Sequence, residues 1–241
     1  MRTARCPLCL HCNANNLSAD IYTKVVLIPE VAMQIQHPFA TVSAGVDGEI
    51  LAVLARVESA FTVGDLQLLI PGRSAAGIRK SVRRLVTQGS VTDMLSGRTH
   101  GYQLNREHVA APAIIALAGL EDTLHQRIRN AIADWVEAPL YVAIFGSAAR
   151  GDMSVSSDID IVLIRPNDAN DDTFQAQTSD LATRVRAWTG NDTRPLTYAQ
   201  LEIVGMANSD PVLASIAAEG RPLIGEPRWF RRTIHQTPVS R

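Results

Sequence analysis

Apolar residues Ile50, Val53, Leu54 and Val57 recur three and four positions apart, so residues 48–57 are predicted to form an amphipathic helix. Thr62 is placed to cap a short second helix carrying Leu66, Leu68 and Leu69, which Pro71-Gly72 breaks. From Ser74 the rhythm resumes: Ile78, Val82, Leu85 and Val86 share one face, Arg79, Lys80, Arg83 and Arg84 fill the rest, and Gly89 ends the helix. The period then changes. Residues 90–94 and 100–104 flank Ser96-Gly97-Arg98, the pattern of a strand, a turn and a second strand.

Past Pro112, residues Ile115, Leu117, Leu120, Leu124, Ile128, Ile132 and Trp135 sit mostly three or four apart, predicting one long connecting helix over 111–138. Pro139 closes it, and the apolar run 140–145 reads as a buried strand. A second strand over 159–164, a helix over 173–188, a strand over 193–198, and a helix from Asp210 stopped by Gly220 follow, ending in a short strand. No repeat or low-complexity tract links the two unlike blocks, so two domains are the simpler account.

Composition supports this. With 241 residues and 46% hydrophobic content the chain can build two cores without staples. The 23 basic and 24 acidic residues exclude a uniformly basic nucleic-acid coat, yet they are unevenly placed. Residues 41–110 hold eight Lys/Arg against six Asp/Glu, whereas 139–225 hold six Arg against eleven Asp/Glu. That is the asymmetry expected if the first block meets phosphate backbone and the second holds cations. No apolar run reaches the roughly 20 residues of a membrane span, and polar residues interrupt any signal-peptide core, so a cytoplasmic protein without a membrane is expected. Cys6, Cys9 and Cys12 are the only cysteines. Their spacing, with His11, is half a zinc site without a second knuckle, and residues 1–40 are expected to be a poorly structured leader, with Met33 a candidate start.

The chemistry concentrates behind the first buried strand. Gly146-Ser147 follows it, ten residues intervene, and Asp158-Ile159-Asp160 opens the next strand. Gly146 lets backbone approach a phosphate, and Ser147 offers a hydroxyl and an N–H near a helix N-terminus. Asp158 and Asp160, two apart on a strand, leave on the same face and converge on one cation site, with Ile159 and Ile161 facing the core. Arg150, one helical turn on, suits phosphates by charge and reach. The order Gly-Ser, ten residues, Asp-x-Asp resembles the signature of the DNA polymerase beta-like nucleotidyltransferase superfamily, and more narrowly the minimal nucleotidyltransferases, over about 139–225.

That resemblance implies an α/β (α+β) domain with a mixed sheet. It further implies two magnesium ions on Asp158 and Asp160, and a nucleoside triphosphate, ATP foremost, gripped by Gly146, Ser147, Arg150 and Ser157. It also implies a third acid on a later strand acting as general base. The strand 193–198 holds none, which leaves Asp192 at its start as the expected substitute, with Glu202 beyond its end and Arg194 bringing a positive charge instead.

Three helices and a hairpin over 41–110 resemble a winged helix-turn-helix domain, with the helix from Ser74 as recognition helix and Gly97-Arg98 at the wing tip. The resemblance implies Arg73, Arg79, Lys80, Arg83 and Arg98 as DNA contacts. Winged helices also serve as dimerisation modules, so a homodimer is a further reading. Residues 226–241, with Arg228, Arg231 and Arg232, are expected to form a mobile basic tail. The functional expectation is a magnesium-dependent transfer of a nucleoside monophosphate to a hydroxyl of a protein, nucleic acid or small molecule. Its alternative is a DNA-binding regulator whose nucleotidyltransferase-like domain senses nucleotide. Minimal nucleotidyltransferases occur in toxin–antitoxin pairs, which makes a protein partner an expectation as well.

Overall fold

The structure, a computed structural model, describes residues 33–43 and 45–236. Cys6, Cys9, His11, Cys12 and most of the expected leader lie outside the described residues, as does the end of the expected tail. The described residues belong to one compact unit.

The first block is α1 (Val46–Arg56), α2 (Val63–Leu69) and α3 (Ala75–Thr87), then the hairpin β1 (Val91–Ser96) and β2 (Thr99–Leu104). Thr62 caps α2 through a reciprocal pair: its hydroxyl accepts from the Asp65 amide, and the Asp65 carboxylate accepts from the Thr62 amide. Ser74 caps α3 by accepting from the Gly77 amide. Ile50, Leu54, Leu66, Ile78, Val82, Leu85, Val91 and Leu104 close around one another as the core. Leu68 and Leu69 are exposed. Only Leu66 of that helix turns inward, because seven residues are too few for a second apolar turn to reach the core. The hairpin pairs Val91 with Leu104 through to Ser96 with Thr99, and Phe61 bridges Tyr102 to add a third short edge.

The single helix expected over 111–138 is two, α4 (Ala111–Ala118) and α5 (Leu120–Ala133), broken at Gly119. The break separates destinations: Ile114 and Ala118 pack into the first core, whereas Leu124, Ile128 and Ile132 pack into the second.

The second block is a mixed four-stranded sheet in the order β5-β4-β3-β6. Its strands are β3 (Tyr141–Phe145), β4 (Ile159–Arg165), β5 (Thr193–Ala199) and β6 (Arg221–Ile224). Strand β4 runs antiparallel to β3 and parallel to β5. Helix α6 (Gly146–Arg150) follows β3, α7 (Asp171–Thr189) joins β4 to β5, and α8 (Pro211–Glu219) and α9 (Pro227–His235) complete the chain. Both faces of the central strands are covered, which explains their unbroken apolar sequence. Ile159, Ile161 and Leu163 point to a core with Phe174, Leu181 and Val185 of α7. Val162 and Ile164 point to the other side, with Leu213 and Ile216 of α8 and Phe230 and Ile234 of α9.

Two segments expected to be loose are packed. Ile35 is buried in the sheet core and Phe39 in the helical core, so residues 33–40 strap the two blocks together rather than belonging to a leader. The basic tail is helix α9, whose Phe230 and Ile234 are fully buried. Its arginines occupy the outward face, and their number masked the 230/234 apolar pair.

Candidate active site

Asp158 and Asp160 stand at the opening of β4, on the face that carries Val162 and Ile164 further along. Phe145, the last residue of β3, pairs with Asp160, so the turn that follows β3 lands against that carboxylate. Gly146 makes the turn with φ +69°, and a Cβ added there would sit 2.6 Å from Asp160 Oδ2. Backbone and carboxylate therefore share a gap that no side chain fits. Ser147 heads α6, and its carbonyl accepts from the amides of Gly151 and Asp152, closing the short helix.

Asp160 is half-buried. Burial pushes its carboxyl above the ordinary range, the neighbouring Asp158 charge adds to this, and Arg194 and Arg150 oppose it. Two carboxylates of which one resists ionisation form a pair that a divalent cation would relieve, so the donor set fits magnesium. The remainder of the expected set is not gathered there. Asp192 is exposed and faces Arg186 of α7 at 3.6 Å, while its carbonyl accepts from the Ile159 amide. Glu202 bonds the Ala199 amide beyond the strand. Among the described residues no three His, Cys, Asp or Glu side chains cluster at metal-binding spacing. The charge beside the pair is Arg194, opposite Asp160 in the β4–β5 register, with its Nη2 2.8 Å from Asp158 Oδ2.

Arg150 is not free for phosphate in this arrangement. Its Nε donates to Asp152 and its Nη1 to Glu219 of α8 at 2.9 Å. Ser157 is engaged locally, its hydroxyl accepting from the Ser154 amide.

Several supporting residues carry no local sequence signal. Arg221 of β6 donates to the Ala149 carbonyl at the end of α6 and pairs with Glu121 of α5. Gln34 and Gln36 of the strap both donate to the Met153 carbonyl, at 3.0 and 2.7 Å. Asn191, fully buried, accepts from the Met33 amide and donates to the Ser157 carbonyl at 2.9 Å, one residue before Asp158. Both ends of the loop 153–157 are thus tied to the strap. Replacing Asn191 with alanine strands the Ser157 carbonyl and is expected to cost about 2–3 kcal/mol in urea unfolding. Alanine at the exposed neighbour Asp192 should cost under about 0.5 kcal/mol.

In the first block, Arg79, Lys80 and Arg83 are exposed on α3. Arg79, Arg83 and Arg98 line a groove of about 760 Å³ between α3 and the hairpin, shared with Asp93, His100 and Tyr102. Arg73 stands apart: Glu49 of α1 holds its guanidinium through two bonds of 2.8 Å. Arg84 is paired with Asp47. No helix among the described residues is long and apolar enough to cross a membrane.

The segment from α5 through β5 and the turn after it, which contains both aspartates, is the part of the chain that resembles a known family. Residues 126–203 match the nucleotidyltransferase domain family. The matched span, about a third of the chain, includes Gly146, Ser147, Asp158 and Asp160 and stops before α8. No curated protein matches the chain. Among solved structures, a toxin–antitoxin complex with AMP-PNP is 19% identical, with a TM-score of 0.35 over 46% of this chain and 80% of that one. A mutant MntA–HpeT toxin–antitoxin complex is 16% identical, with a TM-score of 0.34 over 46% and 80%. A tri-AMPylated Shewanella oneidensis HEPN toxin in complex with MNT antitoxin is 16% identical, with a TM-score of 0.32 over 47% and 80%.

Proposed function

We propose that the nucleotidyltransferase domain moves a nucleoside monophosphate from a nucleoside triphosphate, ATP foremost, to an acceptor hydroxyl, with magnesium held by Asp158 and Asp160. The observation that supports this reading is the close approach of the Gly146 turn to the Asp160 carboxylate, where an added Cβ would lie 2.6 Å from Oδ2, as a phosphate-accepting turn beside cation ligands requires. Bound magnesium would supply the charge that activates the attacking oxygen and stabilises departing pyrophosphate. Asp158 and Asp160 hold it, Gly146 admits the phosphates to backbone distance, and Ser147 offers its hydroxyl and amide. The acceptor belongs to a protein, a nucleic acid or a small molecule, and a protein partner of the chain is among the candidates.

A second reading, a DNA-binding regulator with a nucleotide-sensing domain, is favoured by one feature of the site. An arginine, not an acid, stands beside the aspartate pair, so a general base is missing among the side chains gathered there. In it the first block acts as a winged helix through Arg79, Lys80, Arg83 and Arg98.

Incubating the full chain with ATP labelled on the α-phosphate, magnesium and candidate acceptors tests both. Label transfer that vanishes in the Asp158→Ala/Asp160→Ala variant supports the enzyme, and the labelled species identifies the acceptor. Absence of transfer together with nucleotide binding and salt-dependent DNA retention, weakened by Arg83→Ala, would instead establish the regulator.

A further inference from the structure

Strand β5 reads Thr193-Arg194-Pro195-Leu196-Thr197-Tyr198-Ala199, and Arg194 is its one charged side chain. The parallel register sets Arg194 opposite Asp160, yet its guanidinium reaches along the strand end to Asp158, at 2.8 Å. The two partners are unequal: the Asp158 side chain is 24% exposed and that of Arg194 is 69% exposed. The acid is held by the fold and the cation lies mostly in solvent, so the guanidinium can leave without disturbing packing. An exposed pair of this kind is held weakly enough for a ligand to displace it. Arg150, the other arginine near the pair, is committed to Asp152 and Glu219. Among the described residues Arg194 makes no ion pair besides the one with Asp158.

We propose that Arg194 is an exchangeable latch on the cation site. In the nucleotide-free protein it neutralises Asp158 and competes with a divalent ion, and on nucleotide binding it transfers from that carboxylate to a phosphate oxygen. Its planar fork of donors matches either partner, since carboxylate and phosphate present the same paired oxygens. The exchange ties cation entry to nucleotide entry: the phosphates that draw Arg194 away release Asp158 for the ion that accompanies them. By linkage, what weakens one ligand's binding alone strengthens the coupling between the two. The proposal rests on the reading of Asp158 and Asp160 as metal ligands.

The test separates the two ligands. Binding of Mn2+ to the nucleotide-free full chain is followed by electron paramagnetic resonance, and binding of ATP is measured in EDTA by calorimetry. In Arg194→Gln the Mn2+ affinity is expected to rise and the metal-free ATP affinity to fall, each by roughly 3- to 10-fold, the scale of a single partly solvated charge. Arg194→Lys, which keeps the charge, should hold both changes within about 3-fold. A variant that had merely lost structure would weaken both ligands together, so movement of the two affinities in the same direction, or of neither, overturns the latch. Adding Asp158→Ala/Asp160→Ala to Arg194→Gln distinguishes the two failures. Mn2+ binding that survives there refutes the metal reading and the latch with it. Binding that is abolished there, but equal in the wild type and in Arg194→Gln, refutes the latch alone.

Discussion

Gly146→Ala is expected to lower nucleotide transfer by about 100-fold or more, the penalty when reacting groups are displaced by about an ångström. The methyl group would meet Asp160 Oδ2 at 2.6 Å, well inside the closest approach of carbon and oxygen, while φ +69° strains any L side chain. One of three things must give: the turn, the carboxylate or the β3–β4 pairing that holds them together. Ile159 and Ile161, the neighbours of Asp160 along β4, are locked in the core on the opposite face, so the displacement is expected to fall on the Asp160 carboxylate more than on the fold. Gly151 supplies the control. It has φ +77°, nearly the same backbone, but an added Cβ would meet only Gln36 Cβ, at 3.9 Å. Gly151→Ala should thus show the backbone strain alone, about 1–2 kcal/mol of stability, with transfer close to wild type. Urea unfolding and label transfer on both variants decide the matter: equal losses of transfer would mean that turn strain, not the Asp160 contact, is what Gly146 relieves.

The parts of this site that were legible in sequence are those set by short-range geometry. Two aspartates two apart on a strand share a face whatever the rest of the chain does, and a glycine just past a buried strand, twelve positions before Asp158, brings a turn to the same edge. The absence of an acid from β5 and the presence of Arg194 were also readable, since a parallel neighbour of β4 must pass beside Asp160. The couplings that cross the fold were not. Glu219 on α8 reaches Arg150, and Arg221 on β6 reaches Ala149, across separations that leave no periodicity to detect. Asn191 gave no warning either, since a polar residue after a helix-ending glycine reads as a turn, and its burial comes from the strap arriving over it. In the helical block the apolar spacing of α3 identified the core, and that of α1 did so for Ile50 and Leu54 but not for Val57, which lies past the helix and is exposed; α2 has too few turns for spacing to tell Leu66 from Leu68. Gly119 shows a further limit. The apolar rhythm runs through it without a fault, and the break follows from the need to serve two different cores.

Phe230→Ala is expected to destabilise the chain by about 3–5 kcal/mol, as large as any single side-chain truncation here. The ring is fully buried and stacks on Tyr141 with centroids 4.6 Å apart and planes 8° apart. Tyr141 opens β3, the central strand that delivers Gly146, so the contact secures the Gly146 turn from the far end of the same strand. Ile234, one helical turn on, is buried in the same cluster with Val162 and Ile164 on β4. The face of the sheet below Asp160 is therefore completed by α9. Ending the chain after Gly225 would expose Tyr141, Ile203 and Leu213 together, an apolar surface that loses far more than one ring. The truncated chain should aggregate or unfold at ambient temperature, whereas replacing the outward Arg228 and Arg232 by glutamine should change the urea midpoint little. A soluble truncated chain with the wild-type urea midpoint would show that the domain closes at β6 and that α9 is an appendage. Loss of folding would place its boundary beyond Gly225, well past the end of the family match at residue 203.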